Sequence, residues 1–401
     1  MEYILLAIPF FLLLIFIEAV VNHFKKSNYY RLNDAVTSLN AGIISRVDVV
    51  FRQIIPFAIY AFMYKSLAIF QIDKTPAMWV AAFVLFDFCY YWKHRYNHEL
   101  NIMWASHVAH HSSEEYNLTT ALRQSSTDIF GVLFYLPMAI LGFDPVMLFT
   151  VFSLNLIYQF WVHTRLVPKL GWYEKIFITP SNHRVHHAMN DIYIDKNYGG
   201  VFILWDKWFG TYQEELDEEP CIYGIRKPLK SWDPLWLNFH YYVQLFKDAW
   251  HTKSWRDKLL IWIKPPKWRP DDVAEKFPLA TFEKDKFEKF EIAVSPVAKW
   301  YSLVHHFILS GIVIYLMKTI DTLPTAQQLI WGGYVLFSGF SIGRVLSGSC
   351  YAASLESSRI ILLAILATNL TDYYVPVIFS FTVFNLVFLA ITFTARPKVQ
   401  S

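Results

Sequence analysis

The chain has 401 residues, of which 55% are hydrophobic, 18% aromatic and only 17% charged. Soluble globular chains carry about 25% charged residues, and the mean hydropathy here is +0.28, so disorder, a collagen-like fibre and a disulfide-stapled secreted domain are excluded. A net charge of +3 is too small to mark nucleic acid as a partner, and Cys89, Cys221 and Cys350 are too few and too scattered for a disulfide framework or a thiolate metal site.

The expected fold is all-α: a polytopic helical membrane protein built from helical hairpins. The first apolar run, Tyr3–Val21, is about 19 residues long, enough for a helix to span a bilayer core. It starts behind one acidic residue and ends before Lys25, Lys26 and Arg31, the reverse of a signal peptide. The positive-inside rule places that basic end in the cytosol. Gln53–Phe70 and Ala77–Trp92 then read as one hairpin, turning over residues 71–76. Ile129–Phe143 and Pro145–Val162 read as a second, turning at Gly142, Asp144 and Pro145. Several of these runs are short for a full crossing, which leaves shallow re-entrant hairpins open.

The only long polar stretch, Arg165–Lys299, holds an acidic run over 214–219 and a part rich in Lys, Trp and Pro over 255–270. His240–Trp250 has apolar residues at helical spacing, the pattern of an amphipathic helix lying on a membrane surface. Trp300–Met317, Ala326–Val345 and Ile360–Phe393 follow, the last as two short spans broken near Thr371–Tyr374 and Pro376. If each hairpin returns to its starting side, the polar parts face the cytosol, and Arg396 and Lys398 fit the same side. There is no internal repeat and no low-complexity segment.

Chemistry is concentrated in the histidines. Eight of the 14 fall in three windows: His94-x-x-x-His98, His107-x-x-His110-His111 and His183-x-x-His186-His187. Chance would place about half a histidine in those positions. Spacings of three and four put side chains on one helix face with Cβ atoms about 5–6 Å apart, as convergence on a cation requires. Eight imidazoles exceed one coordination sphere, so two metals are expected. Imidazole alone does not choose among zinc, copper, iron and nickel. The clusters start just past the ends of apolar segments, where a metal meets lipid, and unactivated lipid carbon needs oxygen chemistry, which favours iron. A purely structural zinc would close with four ligands and leave the other imidazoles unexplained. A metal transporter would carry histidines inside its spans, lining a path.

Around the boxes, His163 ends the second hairpin, either as a ninth ligand or supporting group or as an interfacial residue. Glu99 follows His98 and is placed to bridge metals or orient an imidazole. Asp87 sits inside an apolar segment, where a charge is usually placed for a reason, and is expected to receive an imidazole N–H or Arg95. The turn Asp195-Lys196-Asn197-Tyr198-Gly199-Gly200 either holds His186 and His187 or ends their helix. His305-His306, His23, His240 and His251 read as interface or surface residues, and the abundant aromatics as an interfacial belt.

The order of the boxes between hydrophobic hairpins resembles the fatty acid hydroxylase/sterol desaturase superfamily, membrane enzymes with a histidine-rich di-iron centre. The runs from Asp87-Phe88-Cys89-Tyr90-Tyr91-Trp92 through His94, from Asn101 to His107, and His110-His111-Ser112-Ser113-Glu114-Glu115-Tyr116 are similar to the alkylglycerol monooxygenase family. So are Thr120–Ser125, Tyr158–Thr164 and Pro180–Gly210; the likeness is strong over about residues 30–225 and continues mainly as hydrophobic layout.

That resemblance implies hydroxylation of the carbon beside an alkylglycerol's ether oxygen, giving a hemiacetal that collapses to a fatty aldehyde and a glycerol derivative. It implies molecular oxygen as oxidant and tetrahydrobiopterin as reductant. The eight box histidines become iron ligands and Glu99 matches a glutamate needed in the same place; His163 stands beside Glu99 as a candidate catalytic residue from its position, and no pterin-binding residue is assigned. The chain shows no nucleotide or flavin fingerprint, which suits a diffusible reductant. It equally suits a sterol or acyl-lipid hydroxylase or desaturase of the same superfamily served by a redox partner protein. The implied partition is a transmembrane anchor over 1–30, a catalytic domain with two hairpins and a cytosolic cap over 31–298, and C-terminal transmembrane helices over 299–401. The expected home is the endoplasmic reticulum or a bacterial inner membrane, with the metal site facing the cytosol.

Overall fold

The structure is a computed structural model that describes residues 2–52, 54–279, 282–319, 322–368 and 375–394. Its helices are α1 (Glu2–Lys25), α2 (Leu32–Arg52), α3 (Ile54–Leu67), α4 (Pro76–Glu99), α5 (Asn101–His111), α6 (Leu118–Ala121), α7 (Leu136–Leu141), α8 (Pro145–Trp161), α9 (Pro180–His187), α10 (Leu204–Trp208), α11 (Pro234–His251), α12 (Trp255–Leu260), α13 (Asp271–Lys276), α14 (Pro296–Thr319), α15 (Thr325–Leu346), α16 (Ala352–Thr368) and α17 (Val375–Thr394). Among the described residues no strand forms, only isolated bridges joining Phe177 to Phe202 and Ala188 to Tyr223. The all-helical expectation is met.

Among the described residues three helices are long and apolar enough to cross a membrane: Leu6–Lys25 within α1, then α14 and α15. The protein is accordingly a membrane protein. Ile129–Phe143 is not the continuous span expected. Residues Gly131–Tyr135 form a 3-10 turn, and α7 has only six residues. Pro137 stands in its first turn, where the missing N–H is tolerated, and the 3-10 turn runs directly into it. The break expected over Thr371–Tyr374 and the basic residues Arg396 and Lys398 lie outside the described residues, as does Gln53. Pro376 sits in the first turn of α17.

The chain divides into two compact units. The first comprises Met1–Tyr30, Phe51–Leu229 and Asn238–Glu288. In it α4 packs on α5 and α8, α1 on α8 and α6, and α3 chiefly on α7. Its apolar core gathers Tyr60, Phe86, Met138, Met147 and Val151. Helix starts here are written locally. Thr75 Oγ1 accepts from Met78 N ahead of Pro76, and Asp144 Oδ1 accepts from Met147 N ahead of Pro145. The preceding turn needs Gly142, whose φ is +102° and where a Cβ would lie 2.0 Å from Phe70 O.

The second unit comprises Arg31–Val50, Lys230–Leu237 and the chain from Lys289, so that α14, α15, α16 and α17 pack in succession and α14 meets α17. Helix α2 had no counterpart among the expected elements. Its Asn33, Asp34, Thr37, Ser38 and Asn40 are all buried, so the polar residues that hid it from hydropathy face inward.

His305 and His306 are buried too, at 1% and 3% exposure, rather than interfacial. Arg359 chelates Glu356 and donates its remaining Nη2 proton to His305 Nδ1 at 2.8 Å, while His306 Nδ1 lies 2.9 Å from Asn40 Oδ1. A buried guanidinium has five donors to satisfy, and His305 takes one of them.

Candidate metal centre

Helices α4, α5 and α9 and His163, two residues past the end of α8, deliver nine imidazoles in two sets. His94, His98, His107, His111 and His186 form one set; His110, His163, His183 and His187 form the other. Within each set one nitrogen from every ring lies within 4.8 Å of those offered by the others. The sets abut: His111 and His187 stack at 4.3 Å between ring centroids. Adjacent residues divide between sets, His110 from His111 and His186 from His187, because neighbours on a helix project about 100° apart.

The scaffold fixes ring orientation. Four Nδ1 atoms meet backbone carbonyls: His94 with Tyr198 O at 2.8 Å, His110 with Arg123 O at 3.1 Å, His163 with Gln159 O at 2.8 Å and His186 with Lys196 O at 2.9 Å. A carbonyl only accepts, so each of these Nδ1 atoms carries the proton and each Nε2 presents a lone pair. His110 Nε2 and His163 Nε2 then face each other at 3.3 Å as two acceptors. Two lone pairs so close repel unless a cation lies beside both. Nitrogens about 2.1 Å from one ion and at right angles are roughly 3 Å apart, the spacing also seen between His94 and His107 and between His163 and His183. In addition, His98 Nε2, His186 Nε2 and His187 Nε2 are buried without a hydrogen-bond partner. The donor set fits a pair of metal ions.

Burial pushes the His110 imidazole down to about 4 and that of His186 to about 3. The other seven are held well below the ordinary value, first by burial and then by mutual repulsion, as His186 acts on His94 and His187 on His111. All nine are neutral at pH 7, the form in which an imidazole can bind a metal. In metal-free protein the unfolded chain takes up protons below about 6.5, while the folded chain resists until lower pH. Stability is therefore expected to hold above pH 7 and to fall steadily toward pH 4. A melting series on chelator-treated protein checks this; a melting temperature flat across that range would mean the rings are solvated.

Two carboxylates hold the loop that carries two of these carbonyls, those of Lys196 and Tyr198. Asp87, fully buried, accepts four hydrogen bonds: from Asn155 Nδ2 at 2.7 Å, Val201 N at 2.8 Å, Phe202 N at 3.0 Å and Trp205 Nε1 at 2.9 Å. Its expected imidazole or Arg95 partner is thus replaced by two side chains, Asn155 and Trp205, and by two backbone amides, which leave no trace in sequence. Gly200 lets the loop approach, since a Cβ there would lie 2.7 Å from Asp87 Oδ1. Asp206 accepts from Tyr198 N, Gly199 N and Thr211 Oγ1 at 2.7–2.8 Å. Asp195 and Asn197 turn the chain with positive φ. The turn serves His186 and His94, where His186 and His187 were expected.

Glu99 belongs to neither set. It pairs with Arg95 Nε at 2.9 Å and keeps 37% of its side chain exposed, so the carboxylate is not placed as a bridge between the sets. His163 joins the four-membered set, under the ring of Tyr116.

Sequence reading missed Glu18. It lies in the first apolar run, buried, and accepts from Tyr30 OH at 2.5 Å, Leu118 N at 2.8 Å and Thr164 Oγ1 at 2.5 Å, beside His163. A carboxylate inside an apolar run was the available signal.

A family model described as fatty acid hydroxylase matches residues 79–211, which contain all nine imidazoles. The human alkylglycerol monooxygenase is 37% identical over 375 residues, covering 91% of this chain and 82% of that protein. The Danio rerio alkylglycerol monooxygenase is 37% identical over 374 residues with the same coverage. An ornithine lipid hydroxylase from Rhizobium tropici is 27% identical over 158 residues, 37% of this chain and 48% of that one. No solved structure matches. With relatives this similar over most of both chains, and with a fatty acid hydroxylase domain around its histidines, the protein belongs to the alkylglycerol monooxygenase family of membrane oxygenases.

Proposed function

We propose that this protein is a di-iron monooxygenase that cleaves the ether bond of alkylglycerols, with a tetrahydropterin as reductant. The observation that carries the metal count is the division of nine imidazoles into a set of five and a set of four; the substrate class rests on the family. Bound iron would supply the activation of molecular oxygen that an unactivated C–H bond demands. One oxygen atom enters the C–H bond beside the ether oxygen. The other leaves as water, with two electrons from the reductant and two protons. The resulting hemiacetal collapses to a fatty aldehyde and a glycerol derivative.

The chain's own residues supply position and environment. His94, His98, His107, His111 and His186 hold one ion, and His110, His163, His183 and His187 the other. Lys196 O, Tyr198 O, Arg123 O and Gln159 O keep the rings in the lone-pair-inward tautomer. Glu99 acts through Arg95, whose Nη1 also donates to Tyr91 OH at 3.3 Å and braces the end of α4. Catalysis is assigned to the unit built from Met1–Tyr30, Phe51–Leu229 and Asn238–Glu288, with its metal centre on the cytosolic side of the membrane.

Membranes containing the protein, given a labelled alkylglycerol, oxygen and a tetrahydropterin, are expected to release labelled fatty aldehyde. No aldehyde above the control lacking pterin, with product restored by a reduced electron-transfer protein, would transfer the protein to the sterol and acyl-lipid hydroxylases.

A further inference from the structure

Of the five imidazoles in the larger set, four are buried and His107 is only partly so. That set therefore opens at His107. Met103 lies one turn earlier on the same face of α5, which puts the two Cβ atoms about 5–6 Å apart. Met103 is also in the wall of an apolar pocket of about 310 Å³, completed by Leu100, Ile102, Phe130, Leu133 and Phe134. No charged side chain lines it, and its volume is at the small end of the range for ligand pockets, about 300–1,000 Å³.

The outer rim is apolar as well. Phe130 and Leu133 are 44% and 52% exposed, and the neighbouring Ile129 55%. In a membrane protein such a rim faces hydrocarbon rather than water. The walls are fixed. Lys93 Nζ pairs with Asp128 at 2.6 Å, and Asp128 Oδ1 accepts from Gly131 N at 3.0 Å, which ties the 3-10 turn to α4. On the opposite side Asn101 donates to Ile261 O at 2.9 Å and accepts from Tyr241 OH at 2.7 Å, anchoring the start of α5.

We propose that this pocket seats the alkyl chain of the ether lipid, so that the chain enters past Phe130 and Leu133, runs along Met103 and brings the ether carbon to His107. The assignment rests on the ether-lipid reading above. A peptide segment is a poor occupant, because the walls offer its backbone no polar side chain. A hydrocarbon needs none. Chain length is then selected by the pocket, while the imidazoles are indifferent to it.

The test uses full-length protein in lipid nanodiscs, with Leu133→Trp on the rim and Met103→Trp deeper in. An alkylglycerol bearing a diazirine on the part of the chain next to the ether carbon is expected to label residues 100–103 and 130–134 in the wild type. Both variants are expected to lose most of that labelling while keeping the same metal content per chain. In the aldehyde assay they are expected to cost long-chain substrates at least about tenfold more in kcat/KM than short-chain ones. Labelling elsewhere, or a loss equal for all chain lengths, would overturn the pocket assignment and leave the ether-lipid reading standing. Labelling at the pocket without aldehyde from any alkylglycerol would uphold the pocket and remove that reading.

Discussion

His187→Ala is expected to abolish aldehyde formation and to lower the bound metal from two ions per chain to one. His187 belongs to the four-membered set, and its Nε2 is buried without any other partner. Three imidazoles would remain, and the cavity left by the ring would admit water. Losing a group that merely supports a ligand costs about 10–100-fold in metal affinity, so losing the ligand itself should cost more. Membrane insertion should be unaffected, since the helices long and apolar enough to cross a membrane, among the described residues, lie elsewhere in the chain. Metal analysis of detergent-purified protein, beside the turnover assay, reads both effects. Glu99→Gln is the control: it stands outside both sets and should keep both ions. A His187→Ala protein with two ions and full turnover would remove the residue from the site.

Asp87→Asn should be nearly as damaging, although no atom of Asp87 belongs to either set. The carboxylate uses both oxygens, each accepting two hydrogen bonds. An amide keeps one oxygen and turns an NH₂ group on the donors that the other served. Each buried donor left unpaired costs about 1–3 kcal/mol, so a loss of about 3 kcal/mol is expected. It should be felt first in the loop at 196–205, whose carbonyls orient His94 and His186. Thermal unfolding and metal content should fall together, with the five-membered set affected first. An unchanged melting temperature with two ions bound would mean that the loop is held by other contacts.

The sequence carried the site further than it carried the fold. The boxes were legible because ligand convergence on a helix is local, and three- and four-residue spacings express it directly. His163 was ambiguous because it stands alone in sequence and meets the others only through the end of α8. The five-and-four division was not legible, since it depends on how α4, α5 and α9 face one another. Among the helices, α1, α4, α8, α14 and α15 declared themselves by hydropathy. Helix α2 did not, because a buried polar face looks like a surface one. The partners of Asp87 were hidden for a related reason, as three of its four hydrogen bonds come from the loop at 201–205.

The hydrogen bonds around Glu18 bear on how this enzyme can be handled. A membrane leash is normally interchangeable, and any greasy helix of suitable length will do. Here the first helix reaches back toward the histidine cluster and clasps Thr164 and Leu118 through one acid group. Cutting it away to obtain a water-soluble fragment would strip the threonine beside His163 of its acceptor. Grafting on a foreign anchor would do the same. Oxidation chemistry and attachment to the bilayer are thus one inseparable piece of architecture.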